Sequence, residues 1–169
     1  IDTLLQAYKI FADNNPDRES VLEIVGDGPD REKLEKMADE LGIGERVIFR
    51  GYIENSRLPE VYNSFDIAVF LSRRESFGVS AVEASSCGTA IVASDTDGFK
   101  EVLEDGVTGI IVPKESPSEA CAAIQFLADN PQKRAELGKA ARENVLSQYD
   151  WNRNVSQMIS IYIKAINGE

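Results

Sequence analysis

The 169-residue chain is 43% hydrophobic and 28% charged, enough apolar material for one sizeable globular core, and it reads as one domain over residues 1–169. Its net charge of −11 is spread through helical segments and argues against nucleic acid or an anionic membrane surface as a partner. With no histidine, His-based triads, general bases and metal ligands drop out, and no apolar run approaches the ~20 residues of a membrane span.

Ile1 to Asn15 carries an apolar stripe at Leu4, Leu5, Tyr8 and Phe11, predicting a helix that Asp2 caps and that ends before Pro16. A βα fold places a strand before such a helix, so the true N-terminus is expected upstream. Val21–Val25 is a short strand running into Gly26-Asp27-Gly28-Pro29, where glycines allow either a close backbone approach to a ligand or a plain tight turn. Asp30 to Leu41 is an amphipathic helix closed by Gly42, and Arg46–Phe49 is the next strand, followed by Arg50-Gly51-Tyr52-Ile53. Leu58 to Ser64 predicts a short helix with Pro59 in its first turn.

Asp66–Leu71, an apolar run, leads into Arg73-Arg74-Glu75-Ser76-Phe77-Gly78, and a helix over Val79–Cys87 and a strand over Thr89–Ala93 follow. Ligands of open parallel sheets bind outside the carboxyl ends of the strands, where this loop lies. The backbone amides of Phe77, Gly78 and Val79 fall at the helix start and favour an anion, most often a phosphate, with Arg73 and Arg74 beside them. Glu75 in the loop and Glu83 in the helix are suited to binding vicinal diols. Taken alone, two glutamates eight apart fit solvated or helix-capping roles better than function.

Ser94–Gly98 is a second polar loop, followed by a short helix over Phe99–Leu103, a turn at Glu104–Gly106 and a strand over Thr108–Val112. Ser118–Ala128, Pro131–Ser147 and Trp151–Ile166 are three successive amphipathic helices. The last is expected to leave the sheet, unless Trp151 is simply core. Cys87 and Cys121 read as reduced thiols of a cytoplasmic protein. Five short β-branched runs alternating with helices predict an α/β, doubly wound, Rossmann-like parallel sheet.

The run Glu75-Ser76-Phe77-Gly78 through Glu83-Ala84, with Cys87-Gly88-Thr89, Val25-Gly26-Asp27-Gly28-Pro29 and Glu104 to Pro113, resembles the donor half of the group 1 glycosyltransferases, retaining family four of GT-B type. Val47-Ile48-Phe49-Arg50-Gly51-Tyr52 adds to the likeness, which extends over nearly the whole chain. The resemblance implies a retaining transferase that binds a nucleoside-diphosphate sugar, needs no metal or other cofactor, and holds its glycan or lipid acceptor on a separate N-terminal domain. Any peripheral membrane contact would come through that domain. Glu75 would be the catalytic-centre carboxylate on the donor sugar. Ser76, Phe77, Gly78 and Val79 would hold sugar and diphosphate, and Glu83 the ribose. Tyr52 and Ile53 would flank the base, and Gly26, Asp27 and Gly28 would line the cleft floor.

This sequence departs from that pattern at Ala90, where the family has Pro, and at Asp97 and Lys100, where it often has a second Gly and a Pro. The family's first strand, with its Gly-Arg loop and following Lys, is not matched, and in a 3-2-1-4-5-6 order it would lie between Val21–Val25 and Ile67–Leu71. The last helix would then cross to the acceptor domain. Other classes fit the architecture: a non-hydrolysing nucleotide-sugar epimerase, disfavoured by the lack of histidine; a regulatory receiver with Asp27 as acceptor and Lys114 as its lysine, for which no acidic pair is available; and a non-catalytic domain that only binds nucleotide.

Overall fold

A computed structural model describes residues 1–168. In chain order the elements are α1 (Asp2–Asn14), β1 (Leu22–Val25), α2 (Arg31–Glu40), β2 (Val47–Gly51), α3 (Leu58–Ser64), β3 (Ile67–Phe70) and α4 (Val79–Cys87). They continue with β4 (Ala90–Ser94), α5 (Asp97–Val102), β5 (Ile110–Val112), α6 (Pro117–Asp129), α7 (Pro131–Gln148) and α8 (Trp151–Asn167). The alternation read from the sequence is the one observed, with two short 3₁₀ turns added before β2 and α3. The second polar loop is tighter than its composition suggested. The Thr96 side chain accepts a hydrogen bond from the Phe99 amide, so α5 begins at Asp97 and not at Phe99.

All strand pairs are parallel. β1 pairs with β2, Leu22 opposite Val47 and Ile24 opposite Phe49. β3, β4 and β5 form a second ladder in that order, with Ile67 opposite Ala90 and Val92 opposite Ile110. The central strand β4 is buried at every residue, which is why Ala90-Ile91-Val92-Ala93 is a continuous apolar run and does not alternate. Among the described residues no ladder joins β1 to β3, the pairing that would have refuted the expected intervening strand. A cleft of about 990 Å³ separates them, lined by Leu22, Ile24, Ile67 and Val69 and floored by Tyr8 and Ile124. Leu22, Ile67 and Val69 are consequently only half-buried.

Both ladders rest on one apolar core in which Leu5 and Phe11 of α1 and Leu127 of α6 join Ile24, Val92 and Val112. On the other side, Phe99, Val102 and Val145 pack on Ile91 and Tyr62. α7 comes close to the α4–β4 turn because Gly138 carries no side chain: a Cβ there would sit 2.1 Å from the Gly88 carbonyl oxygen. Two expectations fail. α1 has no side-chain cap; Asp2 lies in its first turn and instead accepts from Arg73 at 2.5 Å. Trp151 is not core either: it is 78% exposed, and α8 presents Met158, Ile159, Tyr162 and Ile166 more than half exposed.

Candidate functional site

The loop between β3 and α4 is shaped by Gly78, whose φ of +90° lies in the left-handed region that favours glycine. That reversal lets successive amides converge on one point. The Ser76, Phe77 and Gly78 amides donate to Glu75 Oε1 at 3.0, 3.3 and 3.1 Å. The anion nest expected at this helix start therefore exists, one residue earlier than Phe77–Val79, and the chain's own carboxylate fills it. Glu75 therefore closes the loop on itself and does not cap α4, whose N-cap Gly78 is followed by helix amides that no side chain caps. Val79 is the first residue of α4 and is exposed.

The loop after β4 braces this nest from behind. The Gly98 amide donates to the Glu75 carbonyl at 3.3 Å, and a Cβ on Gly98 would meet the Phe77 nitrogen at 2.5 Å. Phe99 packs its ring 6.1 Å from that of Phe70 and leaves no room for a side chain on Gly78. Asp97 is exposed, so a side chain is accommodated there and not one residue later, which accounts for the tolerated departure. Lys100 pairs with Asp95 on the same surface. Arg73, expected beside the anion, is already committed: Glu115 at 2.7 Å and Asp2 at 2.5 Å hold its guanidinium and raise its pKa above the usual arginine value. Arg74 and Lys114 line a shallow hollow of about 360 Å³ with Glu75, Ser76 and Asp97.

Glu83, five residues into α4, is half-buried, and its Oε2 accepts a hydrogen bond from the Tyr62 hydroxyl at 3.2 Å. Burial first, and the adjacent Glu83 charge second, push the Tyr62 phenol above its ordinary pKa and keep it a donor. Glu83 lines the cleft between β1 and β3 together with Ser80, Gly26, Tyr52 and Ile53. Gly26 is held there by its amide on the Gly51 carbonyl at 2.8 Å, and Tyr52 is 74% exposed. Asp27 turns its carboxylate onto the Gly28 amide at 2.8 Å, in an exposed turn beside the cleft. The sequence-predicted residues therefore assemble around the carboxyl ends of the strands, with Glu83, Tyr52 and Ile53 on one cleft and Glu75 on the adjoining loop. Tyr62 was missed, because an aromatic in a short amphipathic helix reads as core. Among the described residues no cluster of three or more metal-ligating side chains forms.

The profile of the glycosyl transferases group 1 matches residues 1–144. A D-inositol 3-phosphate glycosyltransferase of Thermomonospora curvata is 31% identical over 171 residues, covering 97% of this chain and 39% of its own length. Among solved structures, sucrose-phosphate synthase of Thermosynechococcus elongatus superposes with a TM-score of 0.86 at 28% identity, covering 98% of this chain and 43% of that one. Anabaena Alr3699/HepE, solved with UDP-glucose, shares the fold at a TM-score of 0.85 and 24% identity, covering 96% and 44%. The chain thus spans about two fifths of the length of its curated relatives, and its doubly wound architecture is that of one half of a GT-B enzyme. On the profile match over residues 1–144, the chain belongs to the group 1 glycosyltransferases.

Proposed function

We propose that the chain is the donor-binding, C-terminal half of a retaining glycosyltransferase, taking a nucleoside-diphosphate sugar and passing the glycosyl group to a glycan or lipid held by an N-terminal domain of a longer polypeptide. The observation that carries this reading is the three-amide nest occupied by Glu75, beside Glu83 on the same loop-helix unit. A nest that stabilises a carboxylate through three hydrogen bonds stabilises a diphosphate oxygen by the same donors and the same helix dipole. On donor binding the phosphate displaces the Glu75 carboxylate, which swings out to the hydroxyls of the transferred sugar. Ser76, Phe77, Gly78 and Val79 surround the diphosphate, Glu83 takes the ribose diol, Tyr52 and Ile53 flank the base, and the Gly26–Gly28 turn borders it.

As the glycosyl–oxygen bond breaks, negative charge grows on the departing diphosphate. Preorganised amides there lower the barrier without reorganising, and the reading invokes no metal. Glu75 acts by orientation and electrostatics, not as a covalent nucleophile. The slot between β1 and β3 is filled by a further parallel strand preceding α1, and α8 packs its exposed apolar face on the N-terminal domain. The reaction is cytoplasmic, with membrane contact only through that domain.

UDP, GDP and ADP and their sugars titrated into the complete protein test this. Binding plus transfer to an added acceptor is expected; binding without transfer would favour an idle nucleotide-binding domain. Glu75→Gln is expected to lower turnover about 100-fold without trapping an adduct. A glycosyl-enzyme trapped on residue 75 would overturn the orienting role.

A further inference from the structure

We infer that Tyr62 is a positioning residue for the nucleotide's ribose, acting through Glu83 and touching no substrate itself; this rests on the donor-site reading above. Glu83 is half-buried and lines the cleft between β1 and β3, where an unrestrained glutamate samples several rotamers. An acid that must accept from two hydroxyls at once loses affinity in proportion to the time it spends elsewhere. The Tyr62 hydroxyl removes that freedom by occupying one lone-pair direction of Oε2 at 3.2 Å. Oε1 and the remaining directions of Oε2 are left for the diol.

Tyr62 is itself held in place by two neighbours. The residue is 9% exposed, and its ring meets Phe65 edge-on at 6.4 Å. Its backbone carbonyl accepts from the buried Thr89 hydroxyl at 2.9 Å, which ties α3 to the turn between α4 and β4. The phenol therefore enters the cleft wall from a separate element, fixed to the same turn that ends the helix carrying Glu83. Because its pKa is raised, the phenol stays protonated through the range where an ordinary tyrosine ionises. Glu83 accordingly keeps its partner in alkaline buffer.

The test uses the complete protein, its cognate nucleoside diphosphate chosen from UDP, GDP and ADP, and the 2′,3′-dideoxy analogue of that nucleotide. Tyr62→Phe retains the ring packing and deletes only the hydroxyl. The expected result is about a tenfold loss of affinity for the ribonucleotide and no loss for the dideoxy analogue. In turnover, the donor KM should rise with kcat nearly unchanged. An equal loss for both nucleotides would show a merely structural role, and no loss for either would show that Glu83 needs no guide; each overturns the inference. Glu83→Gln separates the two levels. If it binds both nucleotides as the wild type does, Glu83 does not meet the ribose, and the donor-site reading falls together with the positioning role. If it discriminates against the ribonucleotide while Tyr62→Phe does not, only the positioning role falls.

Discussion

Gly98→Ala is the sharpest probe of how the site is built. The φ of Gly98 is one any residue adopts, so the substitution carries no intrinsic backbone penalty. The new methyl would nevertheless lie 2.5 Å from the Phe77 nitrogen, 2.7 Å from the Glu75 oxygen and 2.7 Å from the Ser76 carbonyl carbon. All three are main-chain atoms, so none escapes by changing rotamer, and the loop must retreat by about 1 Å to reach ordinary contact. Overpacking of this kind costs about 1–3 kcal/mol, or a fall in Tm of roughly 3–10 °C for a chain of this size. One displaced atom, the Phe77 nitrogen, donates to the Glu75 carboxylate and the other two belong to the same loop, and a shift of about 1 Å in a positioning group costs on the order of 100-fold in rate. Differential scanning fluorimetry and donor-dependent transfer kinetics read both effects. Gly28→Ala is the stability control, because a Cβ there meets open space. A Gly98→Ala protein that melts with the wild type and turns over normally would refute the claim that the two loops are wedged together.

Glu75→Ala is expected to lose transfer activity yet bind inorganic pyrophosphate more tightly than the wild type, since the competing carboxylate is gone from the three amides. Calorimetric titration checks this, and weaker pyrophosphate binding would contradict the exchange. Asp129 is held below its usual pKa by hydrogen bonds from Gln125 and then Arg18. Its contribution to stability is therefore complete above its unfolded value of 3.8 and disappears as pH falls through the depressed folded one. The Tm difference between wild type and Asp129→Asn should shrink steadily as pH is lowered below 3.8; a pH-independent difference would mean that the pair at 2.6 Å is not ionic in effect.

The strands were legible because Ile67-Ala68-Val69-Phe70 and Ala90-Ile91-Val92-Ala93 are short, β-branched apolar runs punctuated by polar loops, too short for helices of a compact core. The loop that gathers the amides was legible for the same reason, a polar loop with Gly78 between a strand and a helix, but the amides that converge are those of Ser76–Gly78 and not Phe77–Val79. The occupant of the nest was not legible. Whether Glu75 points outward or folds back on the next three amides is a rotamer choice that spacing does not encode. The commitment of Arg73 to Asp2 and Glu115 escaped detection because it joins residues 71 and 42 positions apart. Tyr62 and Glu83 meet across two elements 21 residues apart, and neither residue type signals the pairing. The exposed face of α8 shows the converse limit, since an amphipathic stripe tells that something covers it but not what.

The separation of β1 from β3 has a mechanical consequence. In the proposed donor site the residues that would flank the base, Tyr52 and Ile53, follow one ladder and the amides that would receive the phosphates follow the other, with only helices and loops linking them among the described residues. Whatever seats in the intervening space acts as a keystone that sets the span between the two subsites. On the proposed reading, a change in that span would alter how base and phosphate are gripped together.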